Sequence, residues 1–212
     1  AEYTGGIGVK MEQEKMLDSV EVVVCLGGDG TFLKVARDVY KRDLPLLGIN
    51  LGNMGFLTEV DKNDIGNAVD NLINDKFTIE DRMMLDTVII RDGDIIASDV
   101  ALNDVVISRG AISKILHVKT YINDIFVDTF PGDGLIVSSP TGSTAYSLSA
   151  GGPIVEPDIQ MIIVTPICPH ILFTRSFITT GDRAVRAVIE ESTLHSAMVT
   201  VDGQVGYEVR GG

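Results

Sequence analysis

One stretch decides the fold, Val22-Val23-Val24-Cys25-Leu26-Gly27-Gly28-Asp29-Gly30-Thr31, in which five apolar residues lead into a glycine-rich turn. A helical pattern follows, because apolar residues recur on one helix face from residue 32 to residue 40. This order predicts a buried strand, a tight turn and a helix. Backbone N–H groups at a helix start attract anions, and glycines without a Cβ atom let a phosphate approach closely. The stretch therefore predicts a phosphate-binding turn.

Asp29 is the unusual residue of this turn, since a carboxylate repels the phosphates beside it. Two interpretations remain open from the residues alone. Asp29 would lie where bound phosphates meet a substrate hydroxyl, or it would simply cap the helix, a frequent role for aspartate. The Walker A and G-x-G-x-x-G patterns are both absent, so a phosphate-binding turn here would follow another design.

The 212-residue chain carries a formal net charge of −13, which argues against general binding to nucleic acids or anionic membranes. A phosphate-rich ligand would need backbone N–H groups, a few basic side chains or a divalent metal to offset this charge. No apolar run approaches the roughly 20 residues of a membrane-spanning helix, and no signal-peptide pattern opens the chain. We therefore expect no membrane partner and a cytoplasmic location. The first residue is not Met, so we also expect a longer native protein.

The first third of the chain predicts a parallel α/β arrangement. A strand at residues 21–26, a helix at 32–42 and a strand at 44–50 have connections short enough to imply parallel pairing. A second glycine-rich turn follows at residues 50–55, and another helix is predicted at 64–75. Ligands of open parallel sheets bind beyond the carboxyl ends of the strands, so this second turn is either part of a ligand crevice or an ordinary turn.

The helical periodicity disappears after residue 79, and β-branched runs with turn residues replace it. Two hairpins are predicted, one around residues 92–94 and one around residues 123–124. Further strands are predicted downstream, at 135–138, 161–165, 184–189 and 197–201. We therefore predict an α/β domain with a parallel sheet at residues 1–83, followed by a mostly antiparallel, β-sandwich-like domain at residues 84–212.

Three polar motifs interrupt the apolar runs of the second domain. Asn103-Asp104 either forms a turn or points into a ligand site, where an amide pairs with an adenine edge and a carboxylate with ribose hydroxyls. Residues 140–153 are rich in small and hydroxyl side chains around Tyr146, which suits a ligand site with a base-stacking ring; a capped surface helix is the alternative. Asp202-Gly203-Gln204 most simply forms a hairpin turn. The three histidines show no metal-ligand spacing, so no protein metal site is predicted.

Taken together, these motifs resemble those of the NAD kinase family. The resemblance is carried by the turn at residues 27–31, by Asn103-Asp104, and by Asp133-Gly134 with the segment from Thr141 to Pro153. The Gly-Gly-Asp-Gly-Thr turn alone is also similar to turns of phosphofructokinases and lipid kinases, whereas the Thr-Gly-Ser-Thr-Ala-Tyr block is far more specific. The resemblance implies a Rossmann-like α/β domain, a β-rich domain, and an ATP-dependent kinase that phosphorylates the 2′-hydroxyl of the adenosine ribose of NAD to give NADP.

The resemblance also implies roles for individual residues. Asp29 would be the catalytic base, and Pro131 stands where family members often carry an arginine. Mg²⁺ would be held mainly through the ATP phosphates, and a homodimer or homotetramer is expected. The ATP phosphates would be bound by Gly27, Gly28, Gly30 and Thr31. NAD would be contacted by Asp29, Gly30, Lys34, Asn103, Asp104, Lys114, Asp133, Thr141, Thr144, Ala145, Tyr146, Ser147, Leu148, Ser149 and Gln204.

Two other functions remain open from the sequence. A lipid or sugar kinase would share the glycine turn but would need an apolar cleft or a cluster of basic residues, and neither is clear in the sequence. A non-catalytic NAD-binding protein on the same fold would keep the dinucleotide contacts without phosphoryl transfer. The intact Asp29 favours the kinase.

Overall fold

The computed structural model describes residues 9–52, 55–110, 115–171, 174–190 and 196–211. The chain divides into two compact units, Ala1–Ile79 and Glu80–Gly212. The predicted division of function after residue 83 stays a prediction, because compactness alone does not assign a role to either part.

The first unit combines short helices with parallel strands. Its described elements are α1 (Gln13–Leu17), β1 (Val23–Gly27), α2 (Asp29–Val39), a 3₁₀ turn (Tyr40–Arg42), β2 (Leu46–Asn50), β3 (Val60–Asp61) and α3 (Ile65–Ile73). The strands form one sheet in the order β1-β2-β3, and both neighbouring pairs are parallel. The predicted parallel α/β arrangement is confirmed.

Helix α2 packs on the sheet through its apolar face. Leu33, Ala36 and Val39 are buried on that face. Ala36 and Val39 belong to the predicted apolar face, whereas Tyr40 at its end is exposed. Gly48 of β2 provides the space, because a Cβ atom there would lie 2.9 Å from the ring of Phe32. The helix begins at Asp29, three residues before the predicted start, since its first turn carries no apolar residue that a periodicity could detect.

The second unit consists mainly of antiparallel strands. Its described strands are β4 (Leu85–Arg91), β5 (Asp94–Ala101), β6 (Asp104–Arg109), β7 (Leu116–Ile122), β8 (Ile125–Gly132), β9 (Gly134–Ser138), β10 (Met161–Ile167), β11 (Phe177–Thr180), β12 (Val185–Ile189), β13 (Ala197–Val201) and β14 (Val205–Val209). Between β9 and β10 lie a 3₁₀ helix (Thr141–Thr144) and the short helix α4 (Tyr146–Ser149).

Three sheets of the second unit share one apolar core. Six strands pair in the order β11-β10-β9-β6-β13-β14, three in the order β12-β7-β8, and β4 pairs with β5. One cluster of buried residues joins all three sheets, and it includes Leu85, Ala101, Leu116, Val118 and Leu135. This packing of sheet faces against each other confirms the predicted β-sandwich-like fold.

Both predicted hairpins are present, and their turns have the backbone that the sequence indicates. Asp92 and Gly93 join β4 to β5 with φ angles of 53° and 88°, and Asn123 and Asp124 join β7 to β8 with φ angles of 46° and 64°. Two positive φ angles in a row match the right-handed twist of the flanking strands. Among the described residues, no helix is both long enough and apolar enough to span a membrane.

Candidate active site

The predicted phosphate turn forms the junction between β1 and α2. Gly28 is the N-cap of α2, and Asp29 is the first helical residue. The interpretation of Asp29 as the N-cap is therefore wrong. Among the described residues, no atom lies within 4 Å of a Cβ atom placed at Gly28 or Gly30, so none of them fills the space beside these two positions. An anion can approach the N-terminus of α2 at these two positions.

The Asp29 carboxylate is held by a loop of the same unit that lies far from it in sequence. The backbone N–H of Phe56 donates to Oδ2 at 2.9 Å, and the N–H of Leu57 donates to Oδ1 at 3.1 Å. Gly55 permits this contact, because a Cβ atom there would collide with the carboxylate. The orientation of the side chain is thereby fixed, while each oxygen keeps further acceptor capacity.

A cavity of about 330 Å³ lies in the second unit, and it brings together motifs that are distant in sequence. Its aromatic residue is Tyr146, whose side chain is 46% exposed and therefore available for contact with a ligand. The side-chain oxygen of Asn103 is buried and has no hydrogen-bond partner among the described residues. The lining residues are Asn103, Asp104, Val106, Ala145, Tyr146, Thr200, Asp202 and Gly203.

Two carboxyl groups meet at one end of this cavity. The pKa of Asp104 is raised from 3.8 to about 6, mainly by burial and also by the nearby charge of Asp202, while the hydrogen bond from the backbone N–H of Tyr146 lowers it. The Asp202 carboxylate accepts three backbone hydrogen bonds, at 3.0 Å from Leu102, 2.8 Å from Asn103 and 3.1 Å from Asp104. The sequence pattern around Asp202 indicates only a hairpin turn, and it carries no signal of these three hydrogen bonds.

Much of the hydroxyl-rich segment is engaged within the protein. Ser143 accepts a hydrogen bond from the N–H of Val155 at 3.1 Å and donates to the carbonyl of Val155 at 3.2 Å. Ser147 is fully buried and bonds to Thr165 at 3.1 Å. Gly151 ends the segment in the left-handed conformation, with φ at 89°. The hydroxyl groups therefore shape the segment, while Tyr146 and Ala145 line the cavity.

The remaining predicted residues lie in several places. Arg109 of β6 forms an ion pair with Asp133 at 2.9 Å, so a cation stands beside Asp133 although Pro131 replaces the arginine of the family pattern. Lys34 is exposed on α2, and Gln204 lies in the turn between β13 and β14. Lys114 lies outside the described residues, as do Asn53 and Met54 of the second glycine-rich turn.

Family models match both parts of the chain. The model of the ATP-NAD kinase N-terminal domain matches residues 10–77, and the model of the ATP-NAD kinase C-terminal domain matches residues 102–212. The chain belongs to the NAD kinase family. The predicted enzyme class, NAD kinase, is confirmed, and membership of this family removes the lipid or sugar kinase as an alternative.

Individual relatives agree with this assignment. The chain is 68% identical over 202 residues to an NAD kinase of Acetivibrio thermocellus, covering 95% of this chain and 70% of the relative. It is 54% identical over 198 residues to an NAD kinase of Ruminiclostridium cellulolyticum, covering 93% of this chain and 69% of the relative.

Solved NAD kinase structures share the fold. A yeast NADH kinase complexed with NADH matches with a TM-score of 0.86 at 30% identity, over 95% of this chain and 59% of the yeast chain. An NAD kinase from Archaeoglobus fulgidus in complex with ATP matches with a TM-score of 0.79 at 27% identity, over 96% of this chain and 76% of the archaeal chain. This chain thus spans about 70% of the first curated relative and 59% of the yeast protein.

Proposed function

We propose that the chain transfers the γ-phosphoryl group of ATP to the 2′-hydroxyl of the adenosine ribose of NAD, with Asp29 as the general base. The observation that carries the proposal is the setting of Asp29. Its carboxylate is fixed by two backbone N–H groups at the start of α2, directly beside two glycines whose surrounding space no described residue fills. A phosphate and a substrate hydroxyl can therefore both approach this point.

Asp29 takes the proton of the 2′-hydroxyl as the ribose oxygen attacks the γ-phosphorus. The bond between that oxygen and phosphorus forms, the bond from phosphorus to the leaving ADP oxygen breaks, and NADP and ADP result. A positioned base contributes about 10²- to 10⁴-fold to such a step. Most of the remaining catalysis comes from alignment of the two substrates and neutralisation of phosphate charge.

The ATP phosphates bind at the N-terminus of α2, where backbone N–H groups and the helix dipole favour anions. The assigned residues are Gly27, Gly28, Gly30 and Thr31. Among the described residues, no three His, Cys, Asp or Glu side chains gather as a metal-binding group. Mg²⁺ would be held mainly through the ATP phosphates, since Mg²⁺ commonly uses one or two carboxylates together with substrate phosphates. When bound, the ion neutralises phosphate charge.

NAD binding is assigned to residues of the cavity in the second unit and to residues named by the family resemblance. Tyr146 stacks on the adenine. The side-chain oxygen of Asn103, which has no partner in the part of the chain that the structure describes, accepts a hydrogen bond from the dinucleotide. Asp104 accepts from a ribose hydroxyl. The further assigned contacts are Gly30, Lys34, Lys114, Asp133, Thr141, Thr144, Ala145, Leu148, Ser149 and Gln204. Ser147, which the family resemblance also names, is fully buried and bonds to Thr165, so we assign it the role of shaping this segment.

The domain division, the assembly and the location complete the proposal. Residues 1–83 form the domain that binds the ATP phosphates, and residues 84–212 form the domain that binds NAD. The protein acts as a homodimer or homotetramer in the cytoplasm. Because the yeast relative is an NADH kinase solved with NADH, NADH should be tested beside NAD as the acceptor of the phosphoryl group.

The test is an assay of NADP formation that offers ATP or polyphosphate as donor and NAD or NADH as acceptor. Asp29→Asn keeps the shape of the side chain, and it is expected to lower turnover about 10²- to 10⁴-fold while calorimetry still detects NAD binding. Asp38→Asn on the same helix is the control, because Asp38 is exposed and bonds to Gln13. A near-normal rate for Asp29→Asn would remove Asp29 as the base. NAD binding without NADP formation by the wild type would favour a non-catalytic sensor.

A further inference from the structure

Asp202 is a buried carboxylate at the cavity to which the proposed reaction assigns no role. It is 8% exposed and lies in the turn between β13 and β14. Both the residue and Gly203 after it have positive φ angles, 50° and 63°. A buried carboxylate requires donors, and three backbone N–H groups of one short segment in another strand connection donate to Asp202.

That segment is residues 102–104, the connection between β5 and β6. Oδ2 of Asp202 accepts from the N–H of Leu102, and Oδ1 accepts from the N–H groups of Asn103 and Asp104. The backbone N–H of Asp202 also donates to the carbonyl of Asp104 at 2.9 Å. The strand register brings Asp202 next to residues 102–104, since Val201 of β13 pairs with Val105 of β6. Four hydrogen bonds thus fix the Asn103-Asp104 connection to the Asp202 turn.

The connection between β5 and β6 places the side-chain oxygen of Asn103 at the cavity. This oxygen is buried and has no partner among the described residues, although buried amide oxygens are nearly always bonded. A second connection also holds this backbone, because the carbonyl of Asn103 accepts a hydrogen bond from the N–H of Ser139 at 2.9 Å. A rigid backbone that carries a hydrogen-bond acceptor without a partner among the described residues is typical of a preorganised ligand-binding position.

We propose that Asp202 is a positioning residue for dinucleotide binding, which holds the Asn103-Asp104 connection so that the Asn103 amide and the Asp104 carboxyl face the ligand. The ligand group that meets Asn103 is a hydrogen-bond donor, either a base amine, a carboxamide N–H or a ribose hydroxyl. This inference rests on the proposed assignment of NAD to the cavity. The three backbone donors also compensate the charge of Asp202, which lets an acid lie beside the site of an anionic dinucleotide.

The test compares two Asp→Asn variants at the same kind of turn. In Asp202→Asn one end of the side chain donates instead of accepting, so at least one backbone N–H of residues 102–104 loses its acceptor. We expect the NAD dissociation constant from calorimetry to rise about tenfold or more, while the KM for ATP and the kcat at saturating NAD change less than about threefold. Asp92→Asn is the matched control, because Asp92 also precedes a glycine in a hairpin turn with φ at 53° but is exposed.

Two results would overturn the inference. One is an unchanged NAD affinity in Asp202→Asn. The other is a parallel loss of NAD affinity, ATP affinity and thermal stability, which indicates a general structural role. A double variant adds a sharper criterion: if Asp202 acts through Asn103, the loss caused by Asn103→Ala shrinks in the Asp202→Asn background, whereas additive losses would argue for independent roles.

A second substitution covers the case in which Asp202→Asn does not fold. Asp202→Glu keeps the charge but moves the carboxylate by one methylene, and a loss of NAD affinity of about threefold or more is expected. Wild-type affinity in Asp202→Glu would contradict the inference. Calorimetry measures binding without turnover, so this result is separable from the assay of NADP formation that tests the proposed function.

Discussion

The pH dependence of folding stability provides a quantitative prediction at Asp104. This residue is 5% exposed, and its pKa is raised from 3.8 to about 6, mainly by burial and secondarily by Asp202. In the unfolded chain the carboxyl returns to its ordinary pKa. Because the folded pKa is the higher one, the ionised carboxylate opposes folding above about pH 6, and this cost disappears as the pH falls to 3.8.

Asp104→Asn removes the titrating group while it keeps the shape of the side chain and an acceptor for the N–H of Tyr146. A pKa that rises from 3.8 to about 6 corresponds to about 3 kcal/mol, since one pKa unit is worth about 1.4 kcal/mol. The free energy of unfolding of the variant minus that of the wild type should therefore rise by about 2 kcal/mol between pH 4 and pH 7, because part of the full effect lies below pH 4. The variant gains its relative stability with increasing pH.

The assay is urea unfolding of both proteins, followed by far-UV circular dichroism at half-unit steps across this pH range. Taking the difference between the two proteins cancels the titration of the groups that they share. A difference that stays within about 1 kcal/mol across the range would refute the reasoning, and so would a difference that falls as the pH rises.

Two further substitutions test the geometry of each unit. Gly55→Ala places a methyl group against the Asp29 carboxylate, so kcat should fall about tenfold or more with little change in NAD affinity. Gly66→Ala in α3 is the control, because its methyl group meets no atom of the described residues and should leave kcat unchanged. Equal rates for both variants would argue against the contact between Gly55 and Asp29. Ser143→Ala removes a buried hydroxyl and leaves the partly buried backbone groups of Val155 without their partner, so the free energy of unfolding should fall by about 1–3 kcal/mol. A loss as small as that of the exposed Ser19→Ala would contradict this expectation.

The parts of the fold that follow from local sequence could be predicted. The five apolar residues before the glycine turn indicate β1, and the short connection to the next apolar run indicates parallel pairing. The Asp92-Gly93 and Asn123-Asp124 pairs indicate hairpins, because aspartate, asparagine and glycine tolerate positive φ angles. These predictions depend on residues that are neighbours in the chain, which is why one sequence is enough.

The contacts that orient the site could not be predicted in this way. Asp29 meets residues 27 and 28 positions away, and Asp202 meets residues 98 to 100 positions away. The local signal of Asp202-Gly203 is the same as that of Asp92-Gly93, yet one turn faces the cavity and the other is exposed. The difference arises from strand order and register, which a local pattern does not contain.

The hydroxyl-rich segment illustrates a related difficulty. Its composition predicts donors for a ligand, but composition does not tell which hydroxyl groups the protein uses itself. Ser143 and Ser147 are buried and bonded internally, to Val155 and Thr165. Tyr146, which the same segment contains, does line the cavity. The prediction of a site at this segment therefore depends on Tyr146, whose aromatic ring differs from the small and hydroxyl side chains around it.

The most direct test of the central claim is a structure of the Asp29→Asn variant with NAD, ATP and Mg²⁺ bound. The measured quantity is the distance from the side-chain oxygen of residue 29 to the 2′-oxygen of the adenosine ribose. A general base requires hydrogen-bond reach, so we expect a distance of roughly 2.6–3.2 Å, with the γ-phosphate on the opposite side of the 2′-oxygen. A 2′-oxygen beyond hydrogen-bond reach of residue 29, with another acidic side chain bonded to it, would contradict the account.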